Sequence, residues 1–259
     1  MTRPTSWRRS LAILAPTLVI LTTLAMALAG CGSTSTTGTT TAKGNVSVAY
    51  AGSLVNLMEH TFGPDFTKAT GYGYQGKGAG STALASQIKS KLIQPDVFIS
   101  ASSKAYDALP GIVSWHINFG ATSIVLGYSP QSKFASQFQA AANGTTPWYQ
   151  VLQSSGLRLG RTDPKLDPKG IATLFTMQLA QIYYNQPGLE AKILGDPENA
   201  AQIFPEEDLV ARLTSGQLDA GFFYLNEAVD AKIPYVTLPT QINLSDPSQK
   251  TYYAQASYT

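Results

Sequence analysis

From Asn45 onward, short apolar runs alternate with longer stretches whose apolar residues recur three and four apart. "NVSVAYAG" (Asn45 to Gly52) alternates apolar and polar positions and stops on Gly-Ser, which predicts a strand ending in a turn. In "SLVNLMEHTFGPDFTKAT", Leu54, Leu57, Met58, Phe62 and Phe66 fall at helical spacing behind Ser53, which predicts a helix with Ser53 as its N-cap. "YGYQGK" predicts a short strand, and "STALASQIKSKL" a second helix capped by Ser81. "PDVFISAS" predicts a buried strand, and "SKAYDAL" starts another helix.

The second half continues the alternation. "TSIVLGYSP" predicts a strand, and "LRLGRTDPKLDPKG" a strand that breaks into a Pro/Asp-rich loop. The helix "IATLFTMQLAQIYYN" follows, then the short helix "EDLVARLTSGQ" and the strands "LDAGFFYL" and "IPYVTLP". Strands alternating with helices predict an α/β fold with a largely parallel sheet, divided into two lobes. Ligands of such sheets sit outside the carboxyl ends of strands.

The first thirty residues follow a different pattern. Arg3, Arg8 and Arg9 form a basic head, Leu11 to Ala29 is an almost unbroken apolar run, and "LAGC" closes it at Cys31. This predicts an export signal over 1–30, cleaved ahead of Cys31. An uncleaved membrane anchor is the competing reading, because the run is nearly long enough to span a bilayer. Cys31 is the only cysteine, which excludes an internal disulfide and leaves that residue for lipid attachment. Residues 31–44 are a Ser/Thr-rich tether with nothing to bury, and 45–259 form the folded domain.

Charge then changes the picture. The chain carries a formal +2, but residues 1–30 hold three arginines and no acid, so the exported part stands at −1. No field attracts nucleic acid, and none is expected as a partner.

"GYGYQGKGAGST" (Gly71 to Thr82) superficially matches two phosphate-binding patterns. Both fail on context. A dinucleotide fingerprint has its last glycine entering the helix, and a P-loop has Ser or Thr directly after its lysine, where this chain has Gly78. The informative part is the end, "GAGST". It repeats the strand, small turn, serine and helix of "AGS" at Ala51 to Ser53. Helix starts bind anions, so two in adjacent parallel units predict convergence on one small anion without any Arg or Lys. Serines that merely cap their helices are the plainer alternative.

Catalysis finds little support. His60 and His116 are the only histidines, and no nucleophile elbow or metal-spaced His/Cys cluster accompanies them. No enzyme activity and no cofactor are expected.

Four segments, "VAYAGSLVNLMEHTFGPDF", "GAGSTALASQI", "PDVFISASSKAYDAL" and "INLSDPS", resemble the molybdate/tungstate-binding lipoproteins of ABC importers, most closely the tungstate-type branch. The resemblance runs from about Val46 to Tyr253. It implies a two-lobed periplasmic-binding-protein-like (type II) fold, with lobe 1 at about 45–126 and 226–259 and lobe 2 at about 127–225. "LAGC" likewise resembles a lipobox, implying a lipidated Cys31 and an exported protein anchored at the outer face of the membrane. The implied partners are tungstate or molybdate and an ABC permease, with the protein a monomer.

Residue by residue, Ser53 and Ser81 match the family's two oxyanion-donating serines. Asp167 matches a position that supplies a carboxylate ligand in the tungstate branch, and Tyr224 a tyrosine near the crossing between lobes. The chain departs from the pattern at Phe223, where the tungstate branch has a second carboxylate; Glu227 is the nearest substitute. Relatives also continue past Thr259 with a strand and helix that complete the first lobe. A receptor for another small oxyanion such as sulfate, and a truncated member that no longer binds, stand as alternatives.

Overall fold

The computed structural model describes residues 43–258, so the export signal, Cys31 and most of the tether lie outside the described residues. Two sheets organise the chain. The first contains β1 (Asn45–Ala51), β2 (Gly73–Ala79) and β3 (Val97–Ile99) in the order β2-β1-β3, with both pairings parallel. The second contains β4 (Ile124–Tyr128), β5 (Leu159–Gly160), β6 (Ala220–Tyr224) and β7 (Tyr235–Thr237) in the order β5-β6-β4-β7.

Helices fill the connections. A 3₁₀ turn (Gly52–Leu54), α1 (Val55–Leu57), a π turn (Met58–Phe62) and α2 (Gly63–Thr70) run on from β1. Then come α3 (Ser81–Lys89), α4 (Lys104–Asp107), α5 (Ala135–Ala142), α6 (Trp148–Val151), α7 (Pro168–Tyr183) and α8 (Leu189–Leu194). The chain closes with α9 (Glu206–Thr214), α10 (Leu225–Asp230) and α11 (Lys250–Tyr253).

The expected parallel arrangement holds in the first sheet, but the second is mixed. β5 is parallel to β6, whereas β4 is antiparallel to both β6 and β7. β6 and β7 therefore run the same way, with α10 between them in the chain and β4 inserted between them with the opposite sense. Alternation of strands and helices is the same in either case, so sequence periodicity does not report this reversal.

Successive residues of a strand face opposite sides, and the second sheet is buried on both. Leu126 and Phe222 join Phe138, Leu174 and Met177 in one core, while Val125 and Phe223 join Leu209, Leu213 and Ile233 in another. Each fully buried side chain of this size contributes about 1.5–3 kcal/mol. Tyr252, Tyr253 and Tyr258 also pack on the larger core, and Ser257 N–H donates to Gln178 Oε1 at 2.9 Å. β7 and the chain's last residues thus associate with the second sheet, whereas the sequence division assigns 226–259 to the first lobe.

One local expectation is corrected, and one strand is longer than predicted. Leu57 and Phe62 are 43% and 47% exposed, while Met58 and Gly63 are buried. The π turn widens the hydrogen-bond spacing and breaks the 3.6-residue stripe between them. The glycine-rich stretch, for its part, is β2 itself. A β-carbon on Gly78 would lie 2.7 Å from Val55 Cγ2 and 2.8 Å from Tyr50 Cε2, so this glycine lets a helix and a neighbouring strand approach.

Candidate functional site

The parallel register of β1 and β2 sets Ala51 opposite Ala79. The turns that follow, Gly52-Ser53 and Gly80-Ser81, therefore stand level at the carboxyl end of the sheet. Both serines are buried. Neither is an N-cap: Ala51 and Gly80 occupy those positions, without side-chain cap bonds. Each serine lies inside the first turn, so the capping expectation is wrong for both. Ser81 Oγ instead accepts Ala101 N–H at 3.0 Å, which leaves the hydroxyl proton free to donate.

Facing these turns is the loop before α7. Asp167 caps that helix: its Oδ1 accepts Lys169 N–H at 2.7 Å and the Thr162 hydroxyl at 3.0 Å. Pro168 suits the first helical position, where no N–H is needed. Gly170 is required because the incoming loop lies on it: a β-carbon there would be 2.6 Å from the Asp163 carbonyl carbon. The loop is tied to the first turn of α3 by Ala83 N–H donating to Leu166 O at 3.0 Å. A β-carbon on Gly80 would meet Leu166 O at 2.5 Å and Asp167 Oδ2 at 3.0 Å. Asp167 Oδ2 is thus laid against the second turn, buried and without a donor from the protein.

Glu206, the first residue of α9, does the same at the first turn. A β-carbon on Gly52 would lie 2.8 Å from its Oε2. Its carboxyl is 3% exposed by residue, and neither oxygen receives a hydrogen bond, although Oε1 is 3.3 Å from Lys169 Nζ.

Lys169 is fully buried in the first turn of α7, at the helix end that disfavours a cation. Its Nζ donates to Glu227 Oε1 at 2.7 Å and Oε2 at 2.9 Å. Glu227 Oε2 also accepts Tyr224 N–H at 2.8 Å. Both oxygens of Glu227 are therefore engaged, and the Tyr224 ring lies 5.7 Å from Lys169 Nζ.

Burial and mutual charge set the ionisation of this cluster. Burial alone would lower Lys169, but Glu227, Glu206 and Asp167 outweigh it and hold the ammonium well above its usual range. Burial pushes Glu206 well above the ordinary carboxyl range, opposed by Lys169 and reinforced by Asp167 and Glu227. Glu227 is raised by burial, with Lys169 pulling the other way. Burial and then the three acids raise the Tyr224 phenol.

Ser53, Ser81, Asp167, Tyr224 and Glu227 thus belong to one region between the sheets, and Cys31 lies outside the described residues. Lys169 and Glu206 are additions. Lys169 stands in the motif "DPKG", but no local signal marks a lysine for burial. Glu206 heads a run of three acids at a helix start, where acids are ordinary. His60 and His116 are both exposed, His116 stacked on Tyr106 at 4.8 Å. Among the described residues no group of His, Cys, Asp or Glu is arranged to hold a metal ion, and no helix is long and apolar enough to cross a membrane.

The loop before α7 and the first residue of α9 thus pack against the paired strand–turn–serine segments of the first sheet. The periplasmic molybdate-binding protein of Azotobacter vinelandii shares this fold, with a TM-score of 0.54 at 19% identity over 81% of this chain and 91% of that one. The fold is the two-lobed type II form of such proteins.

The chain belongs to the bacterial extracellular solute-binding protein family, whose profile matches residues 46–255. A Haloferax volcanii protein, provisionally named an ABC transporter molybdenum-binding protein, is 36% identical over 215 residues, covering 83% of this chain and 66% of the relative. The molybdate/tungstate-binding protein WtpA of Thermococcus kodakarensis is 28% identical over 264 residues, covering 91% of this chain and 74% of the relative. The chain thus spans slightly under two thirds of the first relative's length.

Proposed function

We propose that this chain is the extracytoplasmic substrate-binding component of an ABC importer that captures tungstate or molybdate. The observation that carries the reading is the pair of level glycine-serine turns facing an acidic residue, Asp167, whose Oδ2 is buried without a donor. The names of the Haloferax and Thermococcus relatives support the choice of anion. Ser53 and Ser81 would donate to the oxyanion, with Tyr224 bordering it. Lys169 and Glu227 would be the ion pair that holds the floor of the site.

Selectivity follows from the chemistry of the central atom. A carboxylate beside a dianion is repulsive unless it is protonated or bonded to that atom. Molybdenum(VI) and tungsten(VI) expand from four to six oxygen ligands, and sulfur in sulfate does not. No bond in the ligand is broken, so no catalytic group is needed. Signal cleavage and lipid attachment at Cys31 would hold the receptor at the outer face of the membrane, beside its permease, as a monomer.

Titration calorimetry of the full chain with tungstate, molybdate and sulfate tests this. Heat from the first two and none from sulfate is the expected result, with Asp167→Ala weakening both at least tenfold, about 1.4 kcal/mol. Equal binding of sulfate would shift the reading to a general oxyanion receptor. A non-binding chain is the second reading, favoured by one observation: the Asp167 and Glu206 side chains themselves lie against the two turns. Silence from all three anions on a folded sample would establish it.

A further inference from the structure

Each serine turn, with the helix it starts, is joined to the second sheet's side by a neutral hydrogen bond. Behind the second turn the backbone alone makes it, Ala83 N–H donating to Leu166 O at 3.0 Å. At the first turn a side chain does: Asn226 Nδ2 donates to Ser53 O at 3.2 Å. Another amide answers it in the opposite direction, Asn56 Nδ2 donating to Asp230 O at 3.3 Å. Asn56 belongs to α1, just past the Ser53 turn, whereas Asn226 and Asp230 lie near the two ends of α10. The same short helix carries part of the site. Tyr224 is its N-cap, Glu227 receives Lys169, and Ala228 is buried in a core of the second sheet. Successive residues of a helix are about 100° apart, so Asn226 and Glu227 meet different neighbours, one the serine turn and the other the lysine.

We propose that α10 is a clasp across the anion cleft, with Asn226 and Asn56 as positioning residues that set how long an oxyanion is held. The inference rests on the oxyanion reading and goes beyond it, because neither amide is a ligand. Release requires the two lobes to part, and parting breaks both bonds. Entry of the anion precedes their formation. The clasp therefore acts on dissociation and leaves association unchanged. Both side chains are uncharged and bonded to backbone carbonyls, so they slow every oxyanion seated at the serines by the same factor. A ligand to the central atom differs in this respect, since its loss changes the preference between anions.

Chase kinetics on the full chain test the clasp: radiolabelled molybdate or tungstate is bound and then diluted into excess unlabelled anion. Calorimetry supplies the dissociation constants. Asn226→Leu keeps the side chain's bulk and removes the donor. It should raise the dissociation rate of both anions alike by about three- to tenfold, with the dissociation constant rising by the same factor. Asn56→Leu should raise it about twofold, the smaller effect of an exposed bond. Because Asn56 is exposed, that variant keeps the test decisive if Asn226→Leu does not fold. Dissociation rates equal to wild type in the folded variants would overturn the clasp and leave the receptor reading standing. A changed ratio of tungstate to molybdate affinity would also overturn it, by making Asn226 part of the ligand set. A folded wild-type chain that retains neither labelled anion would overturn the clasp and the receptor reading together.

Discussion

Ala51 and Ala79 stand directly opposite each other in the parallel pairing of β1 and β2. That one register brings Gly52-Ser53 level with Gly80-Ser81, and everything proposed for the site depends on it. The glycines of these turns leave room for the Glu206 and Asp167 side chains.

Gly80→Ala should therefore be the most damaging small substitution at the site. The new methyl would lie 2.5 Å from Leu166 O and 3.0 Å from Asp167 Oδ2, and the loop before α7 would have to retreat. Overpacking of this kind costs about 1–3 kcal/mol, and oxyanion affinity should fall at least tenfold. Urea denaturation and calorimetry read the two effects separately.

Among the described residues Lys169 is the cation shared by Glu227 and Glu206, at 2.7 and 3.3 Å. Lys169→Met should destabilise the fold by about 3–5 kcal/mol, because buried acids lose their partner. Adding Glu227→Gln to that variant should recover part of the loss. If the double variant is no more stable than the single one in denaturant titrations, the shared-cation account is wrong.

Arg161 is fully buried and donates to Gln202 Oε1 at 3.0 Å, Pro197 O at 2.7 Å and Asp196 O at 2.9 Å. It fastens the segment leading into α9 beside the strand leading to Asp167. Arg161→Met should cost about 3 kcal/mol, from acceptors left buried and unpaired. Limited proteolysis should show faster cleavage over 195–205.

A pH dependence follows from Asp219, which receives Arg158 Nε and Nη2 at 2.9 Å each and the Ser132 hydroxyl at 2.8 Å. Burial alone would raise its carboxyl, but the hydrogen bonds from Arg158 and Ser132 prevail and hold it below the usual range. The unfolded chain therefore binds the proton more readily than the native one. The stabilisation is complete above the ordinary carboxyl value of about 3.9 and is lost as pH falls through the depressed one. The stability advantage of wild type over Asp219→Asn should be constant between pH 6 and 5 and shrink below about pH 4. A constant difference across the whole acid range would contradict it.

Much of the first sheet was legible because "NVSVAYAG" combines alternation with a Gly-Ser stop, and both features are local. The roles of Ser53 and Ser81 were legible only in part. Their position after a strand is a sequence property, but capping depends on backbone angles, and Ala51 and Gly80 take the cap positions. Glu206 could not be separated from Glu207 and Asp208, since three acids at a helix start look alike until packing buries one: Glu207 is exposed and Glu206 is not. Lys169 was hidden for the opposite reason, as burial of a lysine depends on Glu206 and Glu227, far along the chain. The antiparallel insertion of β4 left no trace, because a strand buried on both faces reads the same in either direction.

The stretch 111–121 is exposed almost throughout and contains no helix or strand, with Trp115, Ile117 and Phe119 facing outward. It separates the residues that build the two serine turns from those that supply Asp167, Glu206 and Lys169. A single cut there would leave two pieces, each holding half of the site and joined by contacts such as Ala83 with Leu166 and Asn226 with Ser53. A bound anion would then act as a non-covalent rivet. Each tenfold excess of free ligand over its dissociation constant would add about 1.4 kcal/mol to their union, turning occupancy of the site into assembly of the molecule.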